Sequence, residues 1–403
     1  MSEKTIEKIN NKINSENIGS ICNASNVGNA IELVHSGEDY FYRLRNIILN
    51  AKSEIHLQTY IFENDSTGIE IADALKEAAS RNVKVYVLLD GYGSAKLPVS
   101  FADNLKRHGV FLRFFSSFFS KNNFYLGRRL HHKVVVADGN IALIGGINIA
   151  DKYFGTAAKE PWLDYAVQIE HEKIGEHLQQ LCRKIYYRKK KIERKTKPVL
   201  HSVRLASVRI LQNDWLKRKN EIYNSYITAI HNSKQEIIIV GSYFLPGRRL
   251  TNALKTASRR GVKIKLILSG ISDVPLVGRA ICHLYSSLLK QNIELYEWNK
   301  SVLHGKAALI DNQWTTIGSF NLNHLSSYGS IEMNVEIHSP EFSKTFLSEL
   351  NRVIAQCENI TYQTLKTRRG IFANTINWIA YRLVRMALII ITYILYKRFT
   401  KLY

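Results

Sequence analysis

The stretch His131-His132-Lys133-Val134-Val135-Val136-Ala137-Asp138-Gly139-Asn140-Ile141-Ala142-Leu143-Ile144-Gly145-Gly146-Ile147-Asn148 decides the fold. It reads His131-x-Lys133, four residues, Asp138, six residues, then Gly145-Gly146-x-Asn148, and the same spacing returns at His304-x-Lys306, Asp311 and Gly318-Ser319-x-Asn321. A β-branched run follows Lys133, so the spacing predicts a strand on which positions i and i+2 share a face. His131 and Lys133 then project together, as do His304 and Lys306, and His132 points away. Asp138-Gly139 and Asp311-Asn312 fall where a tight turn is needed, and residues 141–144 and 314–317 form the returning strands. Small residues after each return should let backbone N–H groups approach an anion at a helix start, with Asn148, Asn321 and the Ser319 hydroxyl as further donors.

Outward from these copies the chain repeats itself. Residues 54–62, 69–80 and 83–89 read as strand, helix and strand, which is a parallel β-α-β unit; a helix near 101–108 and a strand at 111–115 extend it. The second half reads strand 236–244, helix 250–259 and strand 262–268, and Arg81-Asn82-Val83-Lys84-Val85 is matched by Arg260-Gly261-Val262-Lys263-Ile264. A repeat of this length means two similar lobes rather than a solenoid. The expected fold class is α/β, each lobe a mixed, mostly parallel sheet flanked by helices, the two sharing one active site at their interface. The expected division is a polar lead-in at 1–37, a first lobe at 38–184, a basic linker at 185–199, a second lobe at 200–360, and a basic and apolar tail at 361–403.

The chain of 403 residues carries a formal net charge of +22, which points to a polyanionic partner: a nucleic acid or an anionic membrane surface. The 6 prolines and 45% hydrophobic content exclude extensive disorder. Cys22, Cys182, Cys282 and Cys357 lack metal-ligand spacing and read as reduced thiols on the cytosolic side, and the polar first thirty residues lack a secretory signal. Phe118, Phe119, Phe124 and Tyr125 alternate with Lys121, Arg128 and Arg129 in a loop before the first motif. In the tail, residues 386–396 are apolar nearly all round, cations flank them, and the run is about half of a bilayer span, which fits a helix lying in a membrane interface.

The two motif copies offer two imidazoles, two ammoniums and two amides, which are parts for a phosphate. No acidic or Cys/His cluster is placed to hold a metal, so no metal and no cofactor are expected; the lysines would neutralise charge instead. Two histidines suit two-step covalent catalysis, one attacking phosphorus and the other protonating the departing alkoxide. The candidate catalytic set is His131, Lys133, Asp138, His304, Lys306 and Asp311, with both aspartates read as turn formers rather than direct participants. Asn148, Ser319 and Asn321 are the candidate substrate-binding residues.

These twin motifs are those of the phospholipase D superfamily, which the chain resembles from about residue 38 to about residue 357. Tyr60-Ile61-Phe62-Glu63, Trp162-x-Asp164 and Tyr243-Phe244-x-Pro246 resemble the bacterial cardiolipin synthases, of the short type without N-terminal membrane helices. The resemblance implies two phospholipase D-like lobes and a phosphatidyl transfer that makes cardiolipin from phosphatidylglycerol through a phosphohistidine on His131, with His304 as acid and base and glycerol released. It implies an acidic partner orienting each histidine, Asp164 in the first half and Glu332 in the second. The partners implied are anionic phospholipids, phosphatidylglycerol and cardiolipin, at the cytoplasmic face of a bacterial inner membrane, peripheral or monotopic, rather than nucleic acid. A simple lipid hydrolase and a nuclease of the same superfamily are the alternatives. Two departures stand out: Gly146 where serine is frequent, and Asn323 where an aspartate commonly follows the leucine.

Overall fold

A computed structural model describes residues 30–116, 119–120, 123–124, 128–156, 158–187, 207–214, 217, 219–368 and 371–400. The first lobe runs β1 (Ile31–His35), α1 (Glu38–Asn50), β2 (Glu54–Thr59), α2 (Ser66–Ser80), β3 (Lys84–Asp90), α3 (Val99–Arg107) and β4 (Phe111–Phe115). A small hairpin, β5 (Phe119–Ser120) with β6 (Asn123–Phe124), precedes β7 (Arg129–Leu130), β8 (Lys133–Ala137), β9 (Ile141–Gly145), α4 (Asp151–Phe154), β10 (Tyr165–Glu170) and α5 (Glu172–Tyr187). The second lobe repeats the plan with β11 (Val208–Asp214), β12 (Lys219–Asn220), α6 (Glu221–Asn232), β13 (Glu236–Gly241), α7 (Arg248–Arg259), β14 (Lys263–Ser269), α8 (Pro275–Leu289), β15 (Ile293–Trp298), β16 (Lys306–Ile310) and β17 (Trp314–Gly318). It closes with α9 (His324–Tyr328), β18 (Ser330–Ile337), α10 (Pro340–Ile354), β19 (Glu358–Ile360), α11 (Tyr362–Arg368) and α12 (Ile371–Thr400).

The two sheets are mixed, as expected, but not mostly parallel. The first has the order β1-β10-β9-β8-β2-β3-β4, and only β2-β3 and β3-β4 are parallel. The second repeats this with β13-β14 and β14-β15. The β-α-β reading was right for these strands; the motif strands, joined by tight turns, can only pair antiparallel. The polar lead-in also ends earlier than expected, since Ile31–His35 is an edge strand paired with β10. The basic linker beyond Tyr187 and the aromatic residues Phe118 and Tyr125 lie outside the described residues.

Both faces of each motif strand are buried, and they face different cores. In β8, Val135 and Ala137 pack with α1, α2 and α3 in the first lobe's own core, whereas Val134 and Val136 pack with Ile238, Val240, Ala307 and Leu309 of the second lobe. That shared core holds the sheets face to face and leaves a seam at the ends where β8 and β16 begin. The turn aspartates sit at the other end, roughly 16 Å along a five-residue strand. Asp138 has left-handed φ 53° and accepts hydrogen bonds from the backbone N–H groups of Lys52, Ser53 and Glu54 at 2.8, 2.8 and 3.0 Å. Asp311, φ 50°, clamps Lys234, Gln235 and Glu236 in the same way at 2.7–2.9 Å. Their removal from the catalytic set follows from this placement: they pin each turn to the start of the neighbouring strand.

The C-terminal helix α12 does not trail free. Asn377, Ala380 and Val384 are buried on one side of it, which packs on α8. Ile376, Ile379, Leu383, Met386 and Ile390, at spacings of three and four, form an adjacent exposed apolar stripe. Among the described residues no helix is long and apolar enough to cross a membrane.

Candidate active site

The lobes exchange backbone at the seam, and this exchange builds the site. Leu130 of β7 pairs in parallel with Ile331 of β18, in the opposite sheet, and the N–H groups of His131 and His132 both donate to Ile331 O at 3.0 Å. The second lobe returns the contact: Leu303 bridges Leu163, and His304 N and Gly305 N donate to Leu163 O at 2.8 and 2.9 Å. The residue after each acceptor is the carboxylate. Glu332 therefore meets His131, with Nδ1 2.9 Å from Oε2, and Asp164 meets His304, with Nδ1 2.6 Å from Oδ2. Each histidine is oriented by the acid of the other lobe, which reverses the pairing expected from position in the sequence. His132 does point away, with Nε2 2.9 Å from Gln58 Oε1.

The carboxylate on Nδ1 leaves Nε2 of each ring toward the seam. Both histidines are held below their ordinary pKa, first by burial, which favours the neutral imidazole; at His304 the Lys306 and Lys133 ammoniums add to the effect of burial. Lys133 and Lys306 are both 2% exposed. Lys133 Nζ donates to His131 O at 2.5 Å, and Lys306 Nζ lies 2.8 Å from His304 Nδ1 and 3.7 Å from Asp164. Burial brings Lys133 down to about 7 and Lys306 to about 8; it also raises Asp164 to about 6.

Burial makes the two charged lysines a stability cost that Asp164 and Glu332 offset only in part. From pH 7 to about 10.5 the unfolded chain binds more protons at these lysines than the folded one, so stability rises with pH across that window. Lys133→Met should therefore stabilise the free protein by about 1–4 kcal/mol at pH 6, and by less at pH 9. Urea melts at the two pH values check this; a variant less stable than wild type at pH 6 would sink it.

The trailing residues serve the acids rather than a phosphate. The N–H of Gly146 donates to Tyr165 O and that of Ser319 to Met333 O, both at 3.1 Å, so the expected anion cradle at these positions is not there. The Ser319 hydroxyl donates to Glu332 Oε2 at 2.5 Å, which makes it a support of the acid instead of a substrate contact. A Cβ on Gly146 would stand 2.4 and 2.5 Å from the two oxygens of Asp164. The missing hydroxyl is thus explained: the shorter acid occupies its space. Gly146→Ala should displace Asp164 and cost on the order of 100-fold in turnover with the fold retained, read by activity beside thermal melts. Asn148 Oδ1 accepts from Ile61 N at 3.1 Å and its Nδ2 donates to Tyr153 OH at 2.7 Å, while Asn321 Oδ1 accepts from Ser242 Oγ at 2.9 Å. Asn323 caps α9 by accepting from Ser326 N at 3.0 Å.

His131, His304, Asn148 and Asn321 line one cavity of about 350 Å³ between the lobes. Three aromatic side chains there escaped sequence reasoning as site residues. Tyr153 OH is 3.5 Å from His304 Nε2, Trp162 packs on the same ring at 5.9 Å, and Tyr60 meets His131 edge-on at 5.0 Å. Tyr60 and Trp162 were legible only as family resemblance, and nothing in the spacing marks Tyr153. Val384 and Leu388 of α12 form part of the cavity wall.

The family model described as "Cardiolipin synthase, PLD-like domain" matches residues 44–186 and 226–354, one match per lobe. The chain belongs to this phospholipase D-like family. Cardiolipin synthase B of Escherichia coli K12 is 36% identical over 355 residues, covering 85% of this chain and 84% of the relative. Minor cardiolipin synthase ClsB of Bacillus subtilis is 31% identical over 346 residues, covering 84% of each. The phospholipase D-like fold is also that of phosphatidylserine synthase from Haemophilus influenzae, with a TM-score of 0.72 at 15% identity over 96% of this chain and 99% of that one.

Proposed function

We propose that this phospholipase D-like chain makes cardiolipin by joining two phosphatidylglycerols. Its family makes it a phosphatidyltransferase, an enzyme of phospholipid biosynthesis. The observation that carries the finer reading is the pair of crossed His–carboxylate contacts facing one cavity that α12 helps to wall. His131 Nε2 attacks phosphorus of the first phosphatidylglycerol, and the bond to the glycerol oxygen breaks. His304 Nε2 hands the leaving alkoxide its proton; the incoming anionic phosphate offsets Lys133 and Lys306 and so raises the proton affinity of His304. Neutral His304 then takes the proton of a second phosphatidylglycerol's hydroxyl as that oxygen displaces His131 from phosphorus. Lys133 and Lys306 neutralise the phosphate throughout, with no cofactor. One phosphodiester replaces another, so no nucleotide is needed, provided water is kept from the phosphohistidine.

The lipid reading, over a nuclease, rests on α12. A helix that walls the cavity and presents Ile376, Ile379, Leu383, Met386 and Ile390 outward suits an anionic bilayer surface, with Arg382 and Arg385 on the same helix near its headgroups. The enzyme then sits on the cytoplasmic face of the inner membrane, its cavity opening beside the lipid. Leu383→Glu with Met386→Glu should cut flotation with phosphatidylglycerol vesicles on the order of 10-fold or more, without change in thermal melting. Flotation equal to wild type would remove this support. The deciding experiment is lipid mass spectrometry of a cardiolipin-free host. Cardiolipin should appear with the wild type and not with His304→Ala. Phosphatidic acid in its place would make the chain a hydrolase, and no lipid change at all would return it to the nuclease class.

A further inference from the structure

The cavity is asymmetric, and the asymmetry lies on the His304 side. In register, Ile55 of β2 faces Ala137 and Ile237 of β13 faces Ile310, so Tyr243 takes the place that Ile61 holds in the first lobe. The Tyr243 ring stands edge-on to His304 with centroids 6.1 Å apart. Its hydroxyl donates to the carboxylate of Asp273, 2.8 and 2.7 Å from the two oxygens, and Asp273 lines the same cavity. The other acids at the centre are committed: Glu332 to His131 and Asp164 to His304 and Lys306. Arg129 and Lys152 of the lining are paired with Asp90 and Glu63. Asp273 remains, a carboxylate whose oxygens each keep acceptor capacity beside the tyrosine hydroxyl.

A carboxylate repels a phosphodiester, so the part of the substrate that it meets must carry hydrogen-bond donors. The alcohol whose proton passes through His304 is that part. We propose that Asp273, held in place by Tyr243, recognises the headgroup alcohol: it accepts hydrogen bonds from the hydroxyls that a glycerol group has beyond the reacting one. Tyr243 is the positioning residue and Asp273 the specificity residue. This rests on the transferase reading above. It explains how the enzyme would favour a polyol acceptor over water, since only the polyol fills the Asp273 site while its reacting oxygen lies at His304.

The test is an acceptor competition with the full chain on phosphatidylglycerol vesicles. Deuterated glycerol and 1-propanol are supplied together, and labelled phosphatidylglycerol, phosphatidylpropanol and phosphatidic acid are weighed by mass spectrometry. The two alcohols share a carbon skeleton and differ by two hydroxyls, and the donor step is common to both, so their product ratio isolates acceptor recognition. Asp273→Ala should lower the glycerol-to-propanol ratio on the order of 10- to 100-fold, mainly by loss of the glycerol product, and raise the share of phosphatidic acid. Asp273→Asn and Tyr243→Phe should lower the ratio by smaller factors. An unchanged ratio, with all products falling together or none falling, overturns the proposal and leaves Asp273 a structural partner of Tyr243. A wild type that makes neither alcohol product nor cardiolipin from these vesicles overturns the transferase reading itself, before any variant is compared.

Discussion

His131→Ala is expected to abolish turnover, by on the order of 10⁴-fold or more, and to leave no partial reaction. His304→Ala is expected to lose turnover comparably but to keep half of the chemistry. The two separate on a phosphatidyl donor whose leaving group is an aryl alcohol, which departs without needing a proton. On that donor His304→Ala should release close to one equivalent of aryl alcohol per enzyme and then stall as the phosphohistidine, whereas His131→Ala should release none. The local electrostatics support this assignment. Lys306 stands 2.8 Å from His304 Nδ1, so the proton that His304 carries in the first step is easily given up. His131 has the Glu332 carboxylate at 2.9 Å on Nδ1, which directs its Nε2 lone pair to the cavity. A burst from His131→Ala and none from His304→Ala would exchange the two roles.

Asp164→Asn and Glu332→Gln are each expected to cost about 10²- to 10⁴-fold in turnover, because an amide favours the wrong tautomer and does not stabilise the imidazolium. The crossing decides which partial reaction each one spares. Asp164→Asn disarms His304 and should retain the aryl burst; Glu332→Gln disarms His131 and should lose it. Pairing by sequence position would give the opposite result, so one pair of burst measurements decides between the arrangements. The crossing also means that neither lobe alone holds an oriented histidine. A split chain expressed as separate lobes should stay inactive until the halves reassociate.

The sequence by itself determined the paired histidines and lysines and most of the framework. The duplicated His-x-Lys spacing implied both shared-face pairs, because strand alternation is a local property, and the turn role of Asp138 and Asp311 followed from local turn preferences. The repeat of strand and helix patterns implied two lobes, since hydrophobic periodicity is also local. Three things were decided only by the tertiary structure. Which acid serves which histidine depends on Leu130 pairing with Ile331 and Leu163 with Leu303, contacts between segments more than a hundred residues apart that leave no periodic trace. The balance of parallel and antiparallel pairs depends on strand order across each sheet. The roles of Gly146 and Ser319 depend on space: a carboxylate over one and a hydroxyl bond to an acid at the other, set by packing across the seam rather than by the identity of the residues. Local propensity writes strands, turns and shared faces into a sequence; non-local pairing chooses their partners, and in this protein the active site is made of such pairings.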